Sequence, residues 1–273
     1  MNLPELPDLP VTEILDTMHA ALVQKPNLVL VAPPGAGKTT LVPLTLLQAP
    51  WRKGRKIIVL EPRRLAARAA ATRMASLLAE PVGTTVGYRI RFDNRISKET
   101  QIEVVTEGVF SRMLAQDPGL ENVAAVLFDE FHERSLEGDL SLSLCLDVQS
   151  ALREDLRLIP MSATLDGAKI ADLIGARIVE SEGRSHPVEI VYRERSPDVQ
   201  IESAVADQVM QVLNESEPDG SAGGILVFLP GQREIERTAE RLESRLPANV
   251  SLHRLYGALP QKMQDQAISR PAP

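Results

Sequence analysis

Short β-rich runs at residues 28–31, 56–60, 86–90, 102–106, 124–128 and 156–161 limit what this chain can fold into. Leu28-Val29-Leu30-Val31 and Ala124-Ala125-Val126-Leu127-Phe128 are wholly apolar rather than alternating, the mark of strands buried on both faces. Helical stretches lie between most of the runs. Val11, Ile14, Leu15, Met18 and Leu22 fall at helical spacing, and helices are predicted over about 38–48 and, rich in Ala and Arg, about 65–78. Strands alternating with helices predict an α/β fold with a parallel sheet covered on both faces.

The pattern restarts after Gly183-Arg184-Ser185-His186-Pro187, with a strand at 188–192 and a helix at about 199–214. A polar loop at 217–224, a strand at 225–229 and a helix at about 232–246 follow. Two domains are therefore expected, residues 1–185 and residues 186–273. The second is short for its kind, because such domains cluster near roughly 100–150 residues.

Formal net charge is −7, which excludes a uniformly basic nucleic-acid coat but not a local basic cleft. Cys145 is the single cysteine, so no intrachain disulfide can form, and its apolar surroundings predict a buried thiol in a reducing cytoplasm. The start, Met1-Asn2-Leu3-Pro4-Glu5-Leu6-Pro7-Asp8, has no basic n-region or apolar core. No signal peptide is expected, and no apolar run approaches membrane-spanning length.

The chemistry gathers where apolar runs end. After 28–31 comes Ala32-Pro33-Pro34-Gly35-Ala36-Gly37-Lys38-Thr39-Thr40, a phosphate-loop pattern with Ala at its first position. Gly35 and Gly37 let successive N–H groups face one anion, and the following helix points its positive end the same way. Lys38 reaches the β- and γ-phosphates and Thr39 ligates Mg²⁺. The alternative is a chance Gly-Lys-Thr at a helix entry. After 124–128 comes Asp129-Glu130-Phe131-His132-Glu133-Arg134-Ser135. Asp129 is the candidate for holding Mg²⁺, and Glu130 for orienting and deprotonating an attacking water, with a share in the metal site. His132 can bridge the site to other elements or be a satisfied structural histidine. Glu133 and Arg134 can form a helix-start ion pair. Zinc ligation is not expected, because one cysteine and four histidines supply no cluster at ligand spacing. Ser162 and Thr164 close the next run; they can relay the state of the acidic motif or cap a helix before Asp166-Gly167.

In order, 32–39, Glu61-Pro62-Arg63-Arg64, Val105-Thr106-Glu107-Gly108, 129–135, Ser162-Ala163-Thr164 and Phe228-Leu229-Pro230-Gly231 resemble the DEAH/RHA group of superfamily 2 helicases, over essentially the whole chain. The resemblance implies RecA-like P-loop NTPase architecture: two domains, the second partial here, that bind Mg-ATP between them and RNA across their tops. It assigns Lys38, Asp129, Glu130 and His132 to catalysis and Ser162 and Thr164 to coupling. It assigns Arg63, Arg64 and Thr106 to the nucleic-acid backbone and Arg73 to stacking on adenine. Taken alone, paired arginines at a strand-to-helix turn suit phosphate but equally suit a solvated helix start. RNA over DNA rests on the family alone; a DNA-directed helicase and a non-catalytic nucleotide- or RNA-binding chain stay open. Phe131 stands where the family more often has Ala. The family's Thr-rich motif and its Gln/Arg-rich motif with arginine fingers are absent from these residues, so slow hydrolysis by this chain alone is expected.

Overall fold

The computed structural model describes residues 4, 6–164, 167–183, 188–215 and 223–268. The predicted boundary at 184–187, most of the polar loop at 217–224, the first residues of the acidic start and Asp166, before which a helix cap is the alternative for Ser162 and Thr164, lie outside them. The chain divides into two compact units, Met1–His186 and Pro187–Pro273.

The first unit opens with a 3-10 turn, Pro10–Ile14, and helix α1, Leu15–Gln24. Then follow β1 (Leu28–Val31), α2 (Lys38–Leu46), β2 (Lys56–Glu61), α3 (Arg64–Leu77), β3 (Val86–Ile90), β4 (Asp93–Arg95) and β5 (Ile102–Thr106). The rest is α4 (Glu107–Gln116), β6 (Val123–Phe128), α5 (Leu136–Ala151), β7 (Arg157–Ser162), α6 (Gly167–Ile174) and β8 (Arg177–Glu180). The strands form one sheet in the order β4-β3-β5-β2-β6-β7-β1-β8. All pairings are parallel except β3 with β4. Sequence patterning finds the central strands and misses both edges. Asp93-Asn94-Arg95 of β4 has no apolar residue, and β8 is Arg177-Ile178-Val179-Glu180.

Period-two alternation sorts the strand residues onto two cores. Leu28, Leu30, Ile57, Val59, Val104, Leu127 and Met161 pack with residues of α1, α2 and α3. Val29, Val31, Ile58, Leu60, Val126, Phe128 and Leu158 pack with residues of α4, α5 and α6. Burying each such side chain contributes about 1.5–3 kcal/mol, so the two layers together hold the strand ends in place. The small inner face of α3 (Ala67, Ala70, Ala71 and Ala75) brings that helix close to the sheet. Cys145 lies within the second core, fully buried, and burial pushes its thiol up to about 12.

Local chemistry decides where strands stop. Pro62 cannot donate to the ladder, and it holds the residue before it extended, so β2 ends on Glu61 with that side chain at the sheet's carboxyl edge. Ser135 caps α5 by accepting a hydrogen bond from the Gly138 N–H at 2.8 Å. Between β1 and β2 in the sheet lie β7 and β6. The chain therefore reverses its winding there, the kind of place where open α/β sheets bind ligands at strand carboxyl ends.

The second unit contains helices α7 (Ile201–Glu215), α8 (Gln232–Glu243) and α9 (Gln261–Ile268). Ala206 of α7 and Ala239 and Leu242 of α8 are buried, and Arg245 reaches Asp207 at 2.8 Å. The strands predicted at 188–192 and 225–229 do not form. Neither run has a strand partner among the described residues, and Val188, Tyr192, Leu226 and Phe228 are exposed. Patterning detects β propensity, but a strand exists only where a neighbour takes its N–H and C=O groups. No helix of the described residues is long and apolar enough to cross a membrane.

Candidate nucleotide and nucleic-acid site

The structure brings the phosphate loop and the acidic motif together across the sheet. The loop after β1 turns through left-handed backbone at Gly35 (φ 78°) and Gly37 (φ 93°). Gly37 is also sterically fixed: a β-carbon there would meet Leu9 Cδ1 at 2.8 Å. Leu9–Val11 buttresses the loop, with the Val11 N–H donating to the Ala36 carbonyl at 3.0 Å. Thr40 returns its hydroxyl to the Gly37 carbonyl at 3.4 Å. Ala36 is buried, while Pro34 and Gly35 are exposed at the loop's crest.

Lys38 and Thr39 open α2, where the first N–H groups of any helix have no intrahelical acceptor and the dipole favours an anion. Lys38 Nζ lies 2.9 Å from Glu130 Oε1, and the Thr39 hydroxyl donates to Asp129 Oδ2. Asp129 Oδ1 also accepts the Glu130 N–H at 2.9 Å. Glu130 is held at φ 48°, a left-handed conformation that costs a side-chain-bearing residue about 1 kcal/mol or more. That turn aims its carboxylate back at Lys38.

His132 sits in a 3-10 turn, Phe131–Glu133. Its Nδ1 accepts the Ala163 N–H at 3.2 Å and lies 3.4 Å from Glu130 Oε2. An accepting Nδ1 carries no proton, so the Glu130 approach is a contact between two acceptors and not an ion pair. The tie between the acidic motif and the Ser162-Ala163-Thr164 segment therefore runs through the Ala163 backbone. The hydroxyls serve the segment itself: Ser162 Oγ donates to the Thr164 carbonyl at 3.0 Å and accepts the Thr164 N–H at 3.1 Å.

Sequence reasoning missed the role of Glu61, although it lies within a quoted motif. Glu61 is 2% exposed and Asp129 5% exposed. They end adjacent strands, with the Asp129 N–H donating to the Leu60 carbonyl at 2.9 Å. Burial first, then the Asp129 charge and hydrogen bond, pushes the Glu61 carboxyl up to about 9. Burial also raises Asp129, opposed by the Glu61 and Thr39 hydrogen bonds and by Lys38. Two buried carboxyls in contact hold one proton between them at neutral pH, and Glu61 is its better carrier. Its folded value lies above its ordinary value of 4.5. Neutral Glu61 thus contributes stability that is complete below about pH 4.5 and is lost as pH rises through about 9. Glu61→Gln, neutral throughout, should lose less melting temperature than the parent between pH 6 and 9. Parallel profiles would place the proton elsewhere.

The other predicted residues are distributed along the same edge or behind it. Arg63, just after β2, sends Nη2 to both oxygens of Glu133, at 2.7 and 2.9 Å. The alternative of a Glu133–Arg134 helix-start ion pair is not what forms: Glu133 takes Arg63, and Arg134 takes Asp139 at 2.7 Å. An i, i+1 pair on one turn points in different directions. Arg64 is exposed at the start of α3. Thr106 ends β5 in register with Glu61, and its side chain makes no cap hydrogen bond to α4. Glu107 beside it accepts the Ser135 hydroxyl at 2.7 Å, a tie between the start of α4 and the acidic segment that no spacing revealed. Arg73 lies on the exposed face of α3, away from these strand ends, on a helix that packs along α2.

The residues fit a magnesium nucleotide. Mg²⁺ keeps several waters and takes one or two carboxylates plus substrate phosphates rather than a full protein cage. Consistent with that demand, Thr39 and Asp129 already meet. No group of three or more His, Cys, Asp or Glu side chains among the described residues could hold a metal ion alone.

A family model for the DEAD/DEAH box helicase matches residues 12–173. The chain belongs to the DEAD/DEAH box helicase family. It is 49% identical, over 97% of its length, to the ATP-dependent RNA helicase HrpB of Escherichia coli K12. It is 36% identical, over 89% of its length, to a probable ATP-dependent RNA helicase of Caenorhabditis elegans, the DHX35 homolog. The crystal structure of the Escherichia coli DEAH/RHA helicase HrpB matches with a TM-score of 0.88 over 97% of this chain. The mainly parallel α/β architecture is thus the RecA-like helicase fold. The chain spans 32% and 35% of the lengths of the two relatives and 33% of the crystallised chain.

Proposed function

We propose that this chain is the amino-terminal part of an ATP-dependent RNA helicase, binding Mg-ATP on Met1–His186. Residues 186–273 are read as part of a second RecA-like domain. The observation that carries the reading is the meeting of Lys38 with Glu130 and of Thr39 with Asp129 across roughly ninety positions of sequence.

Bound Mg²⁺ would neutralise phosphate charge and orient the phosphoryl group. Thr39 and Asp129 would hold it. Lys38 exchanges Glu130 for the β- and γ-phosphates, which leaves Glu130 free to orient water and take its proton. His132 and the Ala163 N–H then connect the Glu130 turn to the end of β7. Arg63, Arg64 and Thr106, along the carboxyl edge at β2 and β5, would contact the RNA backbone, and Arg73 the adenine. The buried thiol of Cys145 suits a reducing compartment such as the cytoplasm.

Supplied arginine fingers are worth about 10³–10⁵ in rate for this reaction class, and the family motif that carries them is not in this sequence. Binding of a fluorescent Mg-nucleotide with very slow hydrolysis is expected, unchanged by single-stranded RNA, with Glu130→Gln as the blank. Absence of Mg-nucleotide binding overturns the reading. Robust RNA-stimulated turnover overturns the expected dependence on outside arginines.

A further inference from the structure

The pair between Arg63 and Glu133 ties the residue two beyond the end of β2 to the acidic segment, whereas other exposed pairs of the first unit lie elsewhere or, like Arg134–Asp139, stay within that segment and α5. Asp155, for example, ties Arg55 and Arg153 at the amino ends of the strands, remote from the site. Arg63 stands at the carboxyl edge, 70% exposed along its side chain, and Glu133 is 36% exposed. One guanidinium nitrogen bridges both carboxylate oxygens at 2.7 and 2.9 Å. A carboxylate so placed presents two oxygens to a guanidinium much as a phosphate does, and the same arginine cannot serve both fully. Glu133 is also the last residue of the 3-10 turn that carries His132 and begins next to Glu130.

We propose that Glu133 is a positioning residue for Arg63, a latch that a nucleic-acid phosphate displaces. With the edge free of nucleic acid, Glu133 keeps the guanidinium ordered and aimed over the end of β2. When a backbone phosphate arrives, Arg63 changes partner, Glu133 is released to water, and the Phe131–Glu133 turn loses its hydrogen bonds to Arg63 just beyond β2. Occupation of the nucleic-acid edge is thereby communicated to the turn that positions His132 beside Glu130. No bond is made or broken beyond this exchange of ionic hydrogen bonds. The inference rests on the nucleic-acid reading of Arg63 given above and names the residue that regulates it.

An exposed pair of this kind contributes little, which keeps the expected effect to a few-fold. The test is a double-mutant cycle on the 273-residue chain, with binding of a short fluorescent oligouridylate followed at low salt. Glu133→Gln should tighten binding about two- to fivefold, and Arg63→Ala should weaken it. In the Arg63→Ala background, Glu133→Gln should change nothing. The same tightening in both backgrounds would show simple removal of a negative charge and overturn the latch while sparing the nucleic-acid site. No tightening in either background also overturns it. Failure of the parent and of Glu133→Gln to bind the oligonucleotide at all overturns both the latch and the nucleic-acid reading. Circular dichroism of each variant guards against misfolding, to which an exposed pair contributes little.

Discussion

Lys38→Ala should lower the affinity of the chain for a Mg-nucleotide by about 100-fold or more while leaving the melting temperature nearly unchanged. The affinity term is large because a buried ammonium donating to phosphate oxygens forms charge-assisted bonds worth about 1.5–3 kcal/mol each, and Lys38 is placed to make more than one. It is 3% exposed, so water cannot take its place cheaply. The stability term is small for the opposite reason. The partner left behind, Glu130, has a side chain 29% exposed and can hydrate once the lysine is gone. Alanine also favours the first turn of α2. Calorimetric titration with Mg-ADP and a thermal melt of the same sample separate the two terms. Retained affinity would remove the phosphate loop from the nucleotide site.

Phe128→Ala should cost about 3–5 kcal/mol, the range for deleting a buried aromatic side chain. Phe128 is 1% exposed, and its ring meets Phe131 edge-to-face with centroids 5.9 Å apart. That geometry adds about 0.5–1.5 kcal/mol beyond area burial. Relief by collapse is limited, because the space beside it is already a cavity of about 100 Å³ lined in part by Leu60, Pro62, Phe128, Asp129 and Phe131. Removing the ring enlarges that cavity directly behind Asp129 and unseats the Phe131–Glu133 turn, so nucleotide affinity should fall as well. Trp51 is the only tryptophan and lies in the first unit. Its fluorescence during urea unfolding therefore reports that unit, without assuming that both units melt together. A loss below 1 kcal/mol would mean that the strand end is held from elsewhere.

The parts of this molecule readable in sequence are those whose signal is local. Leu28-Val29-Leu30-Val31 announces a buried strand, and Gly35, Gly37 and Lys38 announce the loop, because each requirement is met within a few neighbouring residues. The meeting of Thr39 with Asp129 was also foreseeable, since both sit at strand or helix ends whose chemistry is complementary. Glu61 was not, because nothing in Leu60-Glu61-Pro62 says which strand lies beside β2; only the β2–β6 register sets that carboxyl next to Asp129. Arg63 with Glu133 and Ser135 with Glu107 are likewise products of strand order. At 188–192 and 225–229 the local signal was present and the outcome differed, because pairing is a non-local condition. β4 failed in the other direction: a strand with no apolar residue forms because β3 offers it an edge.

The two rims of the first unit's sheet have a bearing on how the chain behaves at high concentration. Asp93, Arg95, Arg177 and Glu180 put charge on both outer strands, and β4 is short, which discourages a second molecule from adding its own strand there. The second unit has no such protection. Ile225-Leu226-Val227-Phe228-Leu229 is uncharged and β-prone, with its first four residues solvent-facing, the composition of a segment that stacks with copies of itself. This run is thus a place where one molecule could stack on another, and Leu226→Lys is the smallest change that would give it the charged guard that the sheet's rims already have.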